Sequence, residues 1–165
     1  GVMPRRKGFV ALLALNVVTG CTLLMTPALA RACTPVPEQA CMHDWWAALV
    51  ASLVGRIEYV DQPLVAYRQH RGNTLGARRL VPKSRFAALG ELVGPAVDAT
   101  LAKAARQAAW IGAHPPCRLT PVQRLACRVV GVLMRPRSML LRATAFKLIN
   151  LLSRIEDWQR GRVPD

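Results

Sequence analysis

Residues 42–52, Met-His-Asp-Trp-Trp-Ala-Ala-Leu-Val-Ala-Ser, constrain the fold most strongly, because they place one acid beside two tryptophans where a helix begins. Asp44 is a suitable N-cap, since its carboxylate can accept a hydrogen bond from a free backbone N–H of the first turn. Trp45, Leu49 and Leu53 recur at every fourth residue, and Gly55 provides a stop signal. The pattern predicts an amphipathic helix with a tryptophan core.

The residues on either side of this helix have the pattern of short strands. Three stretches are predicted as strands, namely residues 21–25, 56–60 and 64–70. Residues 9–15 are expected to lead into a further strand. Residues 61–63 form a turn, and a polar loop follows at 71–76. Thr26 and Pro27 supply the cap and the first residue of another short helix. Strands and helices together predict an α/β fold.

Three motifs occur in a fixed order along this part of the chain. They are Val-Thr-Gly-Cys-Thr at 18–22, Met-His-Asp-Trp-Trp at 42–46, and Tyr-Arg-Gln-His at 67–70 with Asn73 and Gly76 after it. The set resembles the C-terminal half of bacterial family 2 glycosyltransferases of the rhamnosyltransferase-like kind, and it covers residues 16–77. The resemblance implies a partial GT-A-like mixed sheet with flanking helices. It also implies inverting transfer of a sugar, with rhamnose as one candidate, from a nucleotide-sugar donor to a cell-surface polysaccharide or lipid-linked acceptor.

The resemblance assigns a role to each candidate site residue. Asp44 is the expected general base, and the two tryptophans beside it can lower the local dielectric and stack on sugar rings. The residues expected to bind the acceptor are Thr19, Gly20, His43, Trp45 and Trp46. The residues expected to bind the diphosphate are Arg68, Arg71 and Asn73. His70 is the candidate ligand for Mg²⁺ or Mn²⁺.

The resemblance also implies what this chain lacks. The N-terminal half of such enzymes binds the nucleotide and carries an Asp-x-Asp metal motif, which does not occur in this sequence. The chain is therefore expected to be a C-terminal half that is inactive alone. Residues 1–113 are expected to form the acceptor and catalytic-base half of the GT-A domain. Residues 114–165 are expected to form a C-terminal basic amphipathic helical segment, with His114 and two prolines at the boundary.

The charge of the chain is concentrated in its second part. The formal net charge is +14, of which residues 78–165 carry 16 basic and 5 acidic side chains. Ten basic residues and no acidic residue occur between Ala99 and Ile155. Basic amphipathic helices are typical of proteins that bind an anionic membrane surface, and packing of these helices against protein is the alternative. Nucleic acid is not an expected partner, because the aromatic content is 5% and no nucleic-acid module is recognisable.

The remaining sequence features concern compartment and one rival interpretation. Five cysteines without a Cys-x-x-Cys pair indicate reduced thiols, so the expected location is the cytoplasm or the inner face of the plasma membrane. However, residues 3–21 also resemble a lipoprotein signal that ends at Cys21. An exported lipoprotein or a membrane-surface interaction protein without catalysis is therefore the alternative function. Glu156 and Asp157, beside Trp158, are expected to form a solvated helix end.

Overall fold

In the computed structural model, the described part of the chain comprises residues 8–66, 68, 95–134 and 139–161. Its regular structure consists of six α-helices and one short 3₁₀ turn at Gly20–Thr22. In chain order the helices are α1 (Phe9–Ala14), α2 (Pro27–Cys33), α3 (His43–Val54), α4 (Pro95–Ala113), α5 (Pro121–Leu133) and α6 (Met139–Gln159).

The prediction of an α/β fold with a mixed sheet is wrong, because the structure is helical and the described residues contain no strand. Residues 21–25 complete the 3₁₀ turn and then continue as irregular chain, and residues 56–66 are irregular and mostly exposed. Alternation of apolar and polar residues marks a strand only where a second strand pairs with its backbone groups. Residues 56–66 have no such partner within the described ranges.

Residues 9–15 were expected to lead into a strand, but most of them form helix α1. Phe9, Val10 and Leu12 are completely buried, and this helix contacts α3, α4, α5 and α6. A short run of apolar residues in a fully buried position is compatible with a helix or a strand, so periodicity alone could not decide between them. Helix α1 is therefore the centre of the helical core.

The last three helices pack side by side along the chain. Gly112 approaches Cys127, and Gly131 approaches Ala109, so α4 and α5 run antiparallel and come close together where their residues are small. Residues 114–165 were expected to be helical, and α5 and α6 lie within them. Buried side chains on both sides of His114 contribute to one core cluster. No helix in the described ranges is both long enough and apolar enough to cross a bilayer.

Two helix starts follow the capping rules. Thr26 accepts a hydrogen bond from the backbone N–H of Leu29, with Pro27 in the first turn of α2, as the sequence predicts. Thr120 and Gln123 form a reciprocal capping box at the start of α5. By contrast, α3 begins one residue before Asp44 and has Met42 at its N-cap, without a side-chain bond. The prediction that Asp44 is the N-cap is therefore wrong, and its carboxylate has other partners.

Glu156 is buried, although the sequence predicted a solvated helix end at this position. Its side chain is 2% exposed and joins three other elements. One carboxylate oxygen accepts a hydrogen bond from the backbone N–H of Val10 at 2.9 Å. The other accepts one from Gln123 Nε2 at 2.9 Å and lies 3.2 Å from a guanidinium nitrogen of Arg160. Arg160 in turn donates to the carbonyl oxygen of Ser52, so this network connects α1, α3, α5 and α6.

The five cysteines are free thiols that differ in exposure, which gives a labelling prediction. Cys21 is exposed, whereas Cys127 is buried and its burial raises the pKa of the thiol to about 12. Because the thiolate is the reacting form, we expect iodoacetamide to alkylate Cys127 at least about 10³-fold more slowly than Cys21 in the native protein. Peptide mass spectrometry before and after unfolding measures both rates. Equal rates in the native protein would show that Cys127 is accessible.

Candidate functional site

The carboxylate of Asp44 lies at the start of α3 and is held from three directions. Its Oδ1 atom accepts hydrogen bonds from Asn16 Nδ2 at 3.2 Å and from the backbone N–H of Trp45 at 2.6 Å. Its Oδ2 atom accepts one from the backbone N–H of Gly20 at 3.0 Å. Asp44 is half-buried. These donors fix the direction of the carboxylate, and because Oδ1 already accepts two hydrogen bonds, Oδ2 is the oxygen that has a lone pair left for an external hydroxyl group.

Gly20 comes close to the start of α3. A Cβ atom at this position would lie 2.6 Å from Nε2 of His43, closer than side chains normally approach. The structure thus brings together Gly20, His43 and Asp44, three of the residues that the sequence singled out. Thr19 is next to them, exposed, and its carbonyl oxygen accepts the hydroxyl of Thr22 at 2.8 Å. The backbone N–H of Gly20, at the start of the 3₁₀ turn, therefore links this loop to the Asp44 carboxylate.

Asn16 belongs to this cluster, and the sequence analysis did not assign it a role. Besides its bond to Asp44, its side-chain oxygen accepts a hydrogen bond from the backbone N–H of Val18 at 3.0 Å. The amide therefore links the loop to the helix. One signal could have identified it: Asn16 interrupts an apolar run just before the Val-Thr-Gly motif, where a polar side chain needs a partner.

The two tryptophans after Asp44 serve the core. Trp45 and Trp46 are 3% and 6% exposed. The indole N–H of Trp45 donates to the carbonyl oxygen of Leu12, and that of Trp46 donates to the carbonyl oxygen of Cys33 at 3.0 Å. Both indoles thus have the satisfied polar edge that buried tryptophans require. In this arrangement the ring of Trp45 has no open face for a sugar.

Trp46 also contributes to a shallow cleft of about 530 Å³. The cleft lies between residues 35–39 and the end of α4, where Trp110 and His114 stack with their ring centroids 4.0 Å apart. Glu38 and Gln39 add polar groups to its lining. Aromatic rings beside polar groups are a common lining for ligand sites. An edge of Trp46 therefore borders this cleft.

Two basic side chains that the sequence analysis did not select are close to this region. Burial raises the pKa of the Cys41 thiol, and the Asp44 carboxylate acts in the same direction, whereas Lys103 and Arg106 oppose it. Both basic side chains are exposed on α4, and Gln107 beside them accepts the backbone N–H of Cys41 at 2.8 Å. Helix α4 therefore places two basic side chains near Cys41, three residues before Asp44.

Most of the predicted diphosphate and metal residues lie outside the described residues. Arg68 is exposed, and Arg71, Asn73 and His70 lie outside the described residues. Within the described ranges, no group of three or more histidine, cysteine, aspartate and glutamate side chains could share a metal ion. The assignment of Arg68, Arg71 and Asn73 to the diphosphate and of His70 to the metal stays a prediction.

The contact between Gly20 and His43 leads to a prediction for Gly20→Ala. The added methyl group would overlap the imidazole, so the His43 side chain must turn away. We expect a loss of about 1 kcal/mol in the free energy of unfolding, in the range of a modest overpacking penalty. Urea unfolding measures it, with Gly161→Asn as a surface control. An unchanged free energy for Gly20→Ala would show that this contact is loose.

Comparisons with protein-family models, with curated proteins and with solved structures found no match for this chain.

Proposed function

We propose that this chain is the acceptor-side part of an inverting nucleotide-sugar glycosyltransferase, in which Asp44 is the general base. The observation that carries the proposal is the carboxylate of Asp44, held by the backbone N–H of Gly20 and by the Asn16 side chain at the start of α3. Residues that the glycosyltransferase resemblance selects from separate motifs, 24 positions apart, are in direct contact here.

The proposed chemistry needs one proton acceptor. The acceptor hydroxyl oxygen attacks the anomeric carbon of the donor sugar, and its bond to the nucleotide diphosphate breaks with inversion. The hydroxyl proton passes to the carboxylate of Asp44. Three N–H donors hold this carboxylate in a fixed orientation before the step.

Neutralising the leaving diphosphate is work for cations, and the candidates on this chain are Arg68, Arg71, Lys103 and Arg106. Mg²⁺ and Mn²⁺ prefer several oxygen ligands, and a single imidazole such as that of His70 would not hold either ion alone. No step is therefore assigned to a metal. In this proposal the nucleotide is bound by the N-terminal half of the enzyme, which would carry the Asp-x-Asp motif.

The alternative of an exported lipoprotein is not favoured by the position of α1. Processing at Cys21 would remove Val10 and the rest of the central helix, together with the backbone N–H that binds Glu156. The remaining helices would then expose the apolar surface that α1 covers. The helical core is consistent with a chain that keeps these residues.

A transfer assay tests the proposal. The chain is joined to a nucleotide-binding part and given labelled nucleotide sugars, lipid-linked or oligosaccharide acceptors, and Mn²⁺. The expected result is a glycoside whose anomeric configuration is opposite to that of the donor. Retention of configuration would contradict a single displacement with Asp44 as base, and absence of product across the donor and acceptor panel would contradict the proposed function.

A further inference from the structure

One face of α6 combines basic and apolar side chains, and it points away from the core. Lys147, Leu151, Arg154 and Trp158 are all exposed, at positions i, i+4, i+7 and i+11, which lie on one side of a helix. We call these four residues the α6 stripe. Trp158 is 76% exposed and Leu151 is 54% exposed. Such exposure is unusual for a tryptophan, whose large ring is normally buried.

The other side of the same helix is the one that packs. Ala145, Ile149 and Leu152 are buried in the common core, and Glu156 is buried in its network. The α6 stripe is thus separate from the surface that holds the helix in the fold. Ile155, which is 37% exposed, widens the stripe with another apolar side chain.

The charge around the stripe has one sign for most of its length. The sequence contains no acidic residue from Ala99 to Ile155, so α6 has no acid before Glu156, which is buried. Asp157 is at the C-terminal end of α6, about 60° around the helix from Arg154, so it borders one edge of the stripe. A surface with exposed tryptophan and leucine between cations needs an anionic partner that also offers an apolar layer.

We infer that the α6 stripe docks on an anionic lipid bilayer, with the helix lying in the plane of the surface. Lipid phosphates bind Lys147 and Arg154, and Leu151 and Trp158 enter the boundary between headgroups and acyl chains. This occupant fits better than nucleic acid, which offers phosphates but no apolar layer for Leu151 and Ile155. This docking does not depend on the proposed function. It would bring a lipid-linked substrate close to the protein.

Vesicle sedimentation tests this inference on the full 165-residue chain. The probes are vesicles of phosphatidylcholine mixed with phosphatidylglycerol, and vesicles of phosphatidylcholine alone. We expect binding to the anionic vesicles at low salt and loss of most of it at about 0.5 M salt, where the Debye length is only a few ångströms. Lys147→Glu with Arg154→Glu should weaken the partition at least about 30-fold, since each cation contributes about fivefold near an anionic surface.

A charge-matched control separates the stripe from general positive charge. Arg31→Glu with Lys103→Glu makes the same change in net charge on α2 and α4, and it should weaken binding severalfold less than the stripe pair. Trp158→Ser should reduce the partition at least about tenfold and remove most of the blue shift of tryptophan fluorescence on binding, because Trp45 and Trp46 are already buried and Trp110, half-buried on α4, stacks on His114.

Three outcomes would overturn the inference. Equal binding to neutral and anionic vesicles would remove the role of the cations, and equal losses for the stripe pair and the control pair would remove the role of this face. The third outcome has two parts: Trp158→Ser binds vesicles as the wild type does, and the wild type self-associates whereas Trp158→Ser is monomeric. This result would assign the face to contacts between copies of the chain. Circular dichroism of each variant checks that it is folded.

Discussion

Glu156→Ala is expected to lower the free energy of unfolding by about 2–4 kcal/mol. The change removes the acceptor for the backbone N–H of Val10 and for the amide of Gln123, and each buried donor left without a partner costs about 1–3 kcal/mol. It also leaves Arg160 without its carboxylate and opens a cavity beside α1. Urea unfolding followed by circular dichroism measures the loss.

Two other variants make the Glu156 experiment specific. Glu156→Gln keeps the length and one acceptor oxygen, so about half of the loss is expected. Glu58→Ala removes a carboxylate from an ion pair with Arg56 at 3.1 Å, but both side chains are mostly exposed, so its effect should stay below about 1 kcal/mol. Similar small losses for Glu156→Ala and Glu58→Ala would contradict a stabilising role for the buried network.

The close fit around Glu156 extends to the start of α1. A Cβ atom at Gly8 would lie 2.8 Å from a carboxylate oxygen of Glu156, so the chain approaches the acid where the helix begins. The backbone N–H of Val10 would have no intrahelical partner in this first turn, and the carboxylate supplies one. A buried acid at the end of a basic helix is thus explained by a donor 146 residues earlier in the chain.

Local signals predicted several helices but not the overall fold. The cap at Thr26, the stop at Gly55 and the apolar spacing of α5 depend on residues close in sequence, and the structure has a helix boundary or a helix at each of them. The predicted strand at 56–60 is wrong, because alternation of apolar and polar residues shows only that two faces of a segment differ in polarity. It does not supply the partner strand that a strand needs. The prediction of a solvated helix end at Glu156 is wrong for a related reason, since its partners Val10 and Gln123 are distant in sequence.

The candidate site was also predicted in part. The sequence selected Gly20, His43 and Asp44, which the structure brings together, and it overlooked Asn16, which binds the same carboxylate. It treated Trp45 as a surface for sugars, whereas the ring is buried and its N–H binds the carbonyl oxygen of Leu12. A motif of residue types indicates which side chains act together, but packing decides which of their faces remain open.

Asp44→Asn is expected to reduce sugar transfer by a factor on the order of 10² or more, the usual contribution of a general base. The amide cannot accept the acceptor proton at neutral pH, although it has nearly the same shape as the carboxylate. Donor binding should stay unchanged, because the residues proposed for the diphosphate are on other segments. The loss should therefore appear in kcat, with little change in the KM of the donor.

The structure also defines the controls for Asp44→Asn. The new amide group would face at least one N–H donor among Gly20, Trp45 and Asn16, so some loss of stability is expected, and each variant is compared at a temperature where circular dichroism shows it folded. Asp61→Asn makes the same chemical change at an exposed position and should retain wild-type kcat. Asn16→Ala keeps the base but loses one of its orienting bonds, and a fall of about tenfold is expected.

The most direct test of the central claim is therefore the ratio of kcat values for wild type and Asp44→Asn, measured in an enzyme that contains this chain together with a nucleotide-binding part. The account predicts a ratio of about 10² or more for Asp44→Asn and a ratio near one for Asp61→Asn, with both variants folded and binding the donor. A folded Asp44→Asn enzyme that transfers sugar at close to the wild-type rate would contradict the assignment of Asp44 as the base.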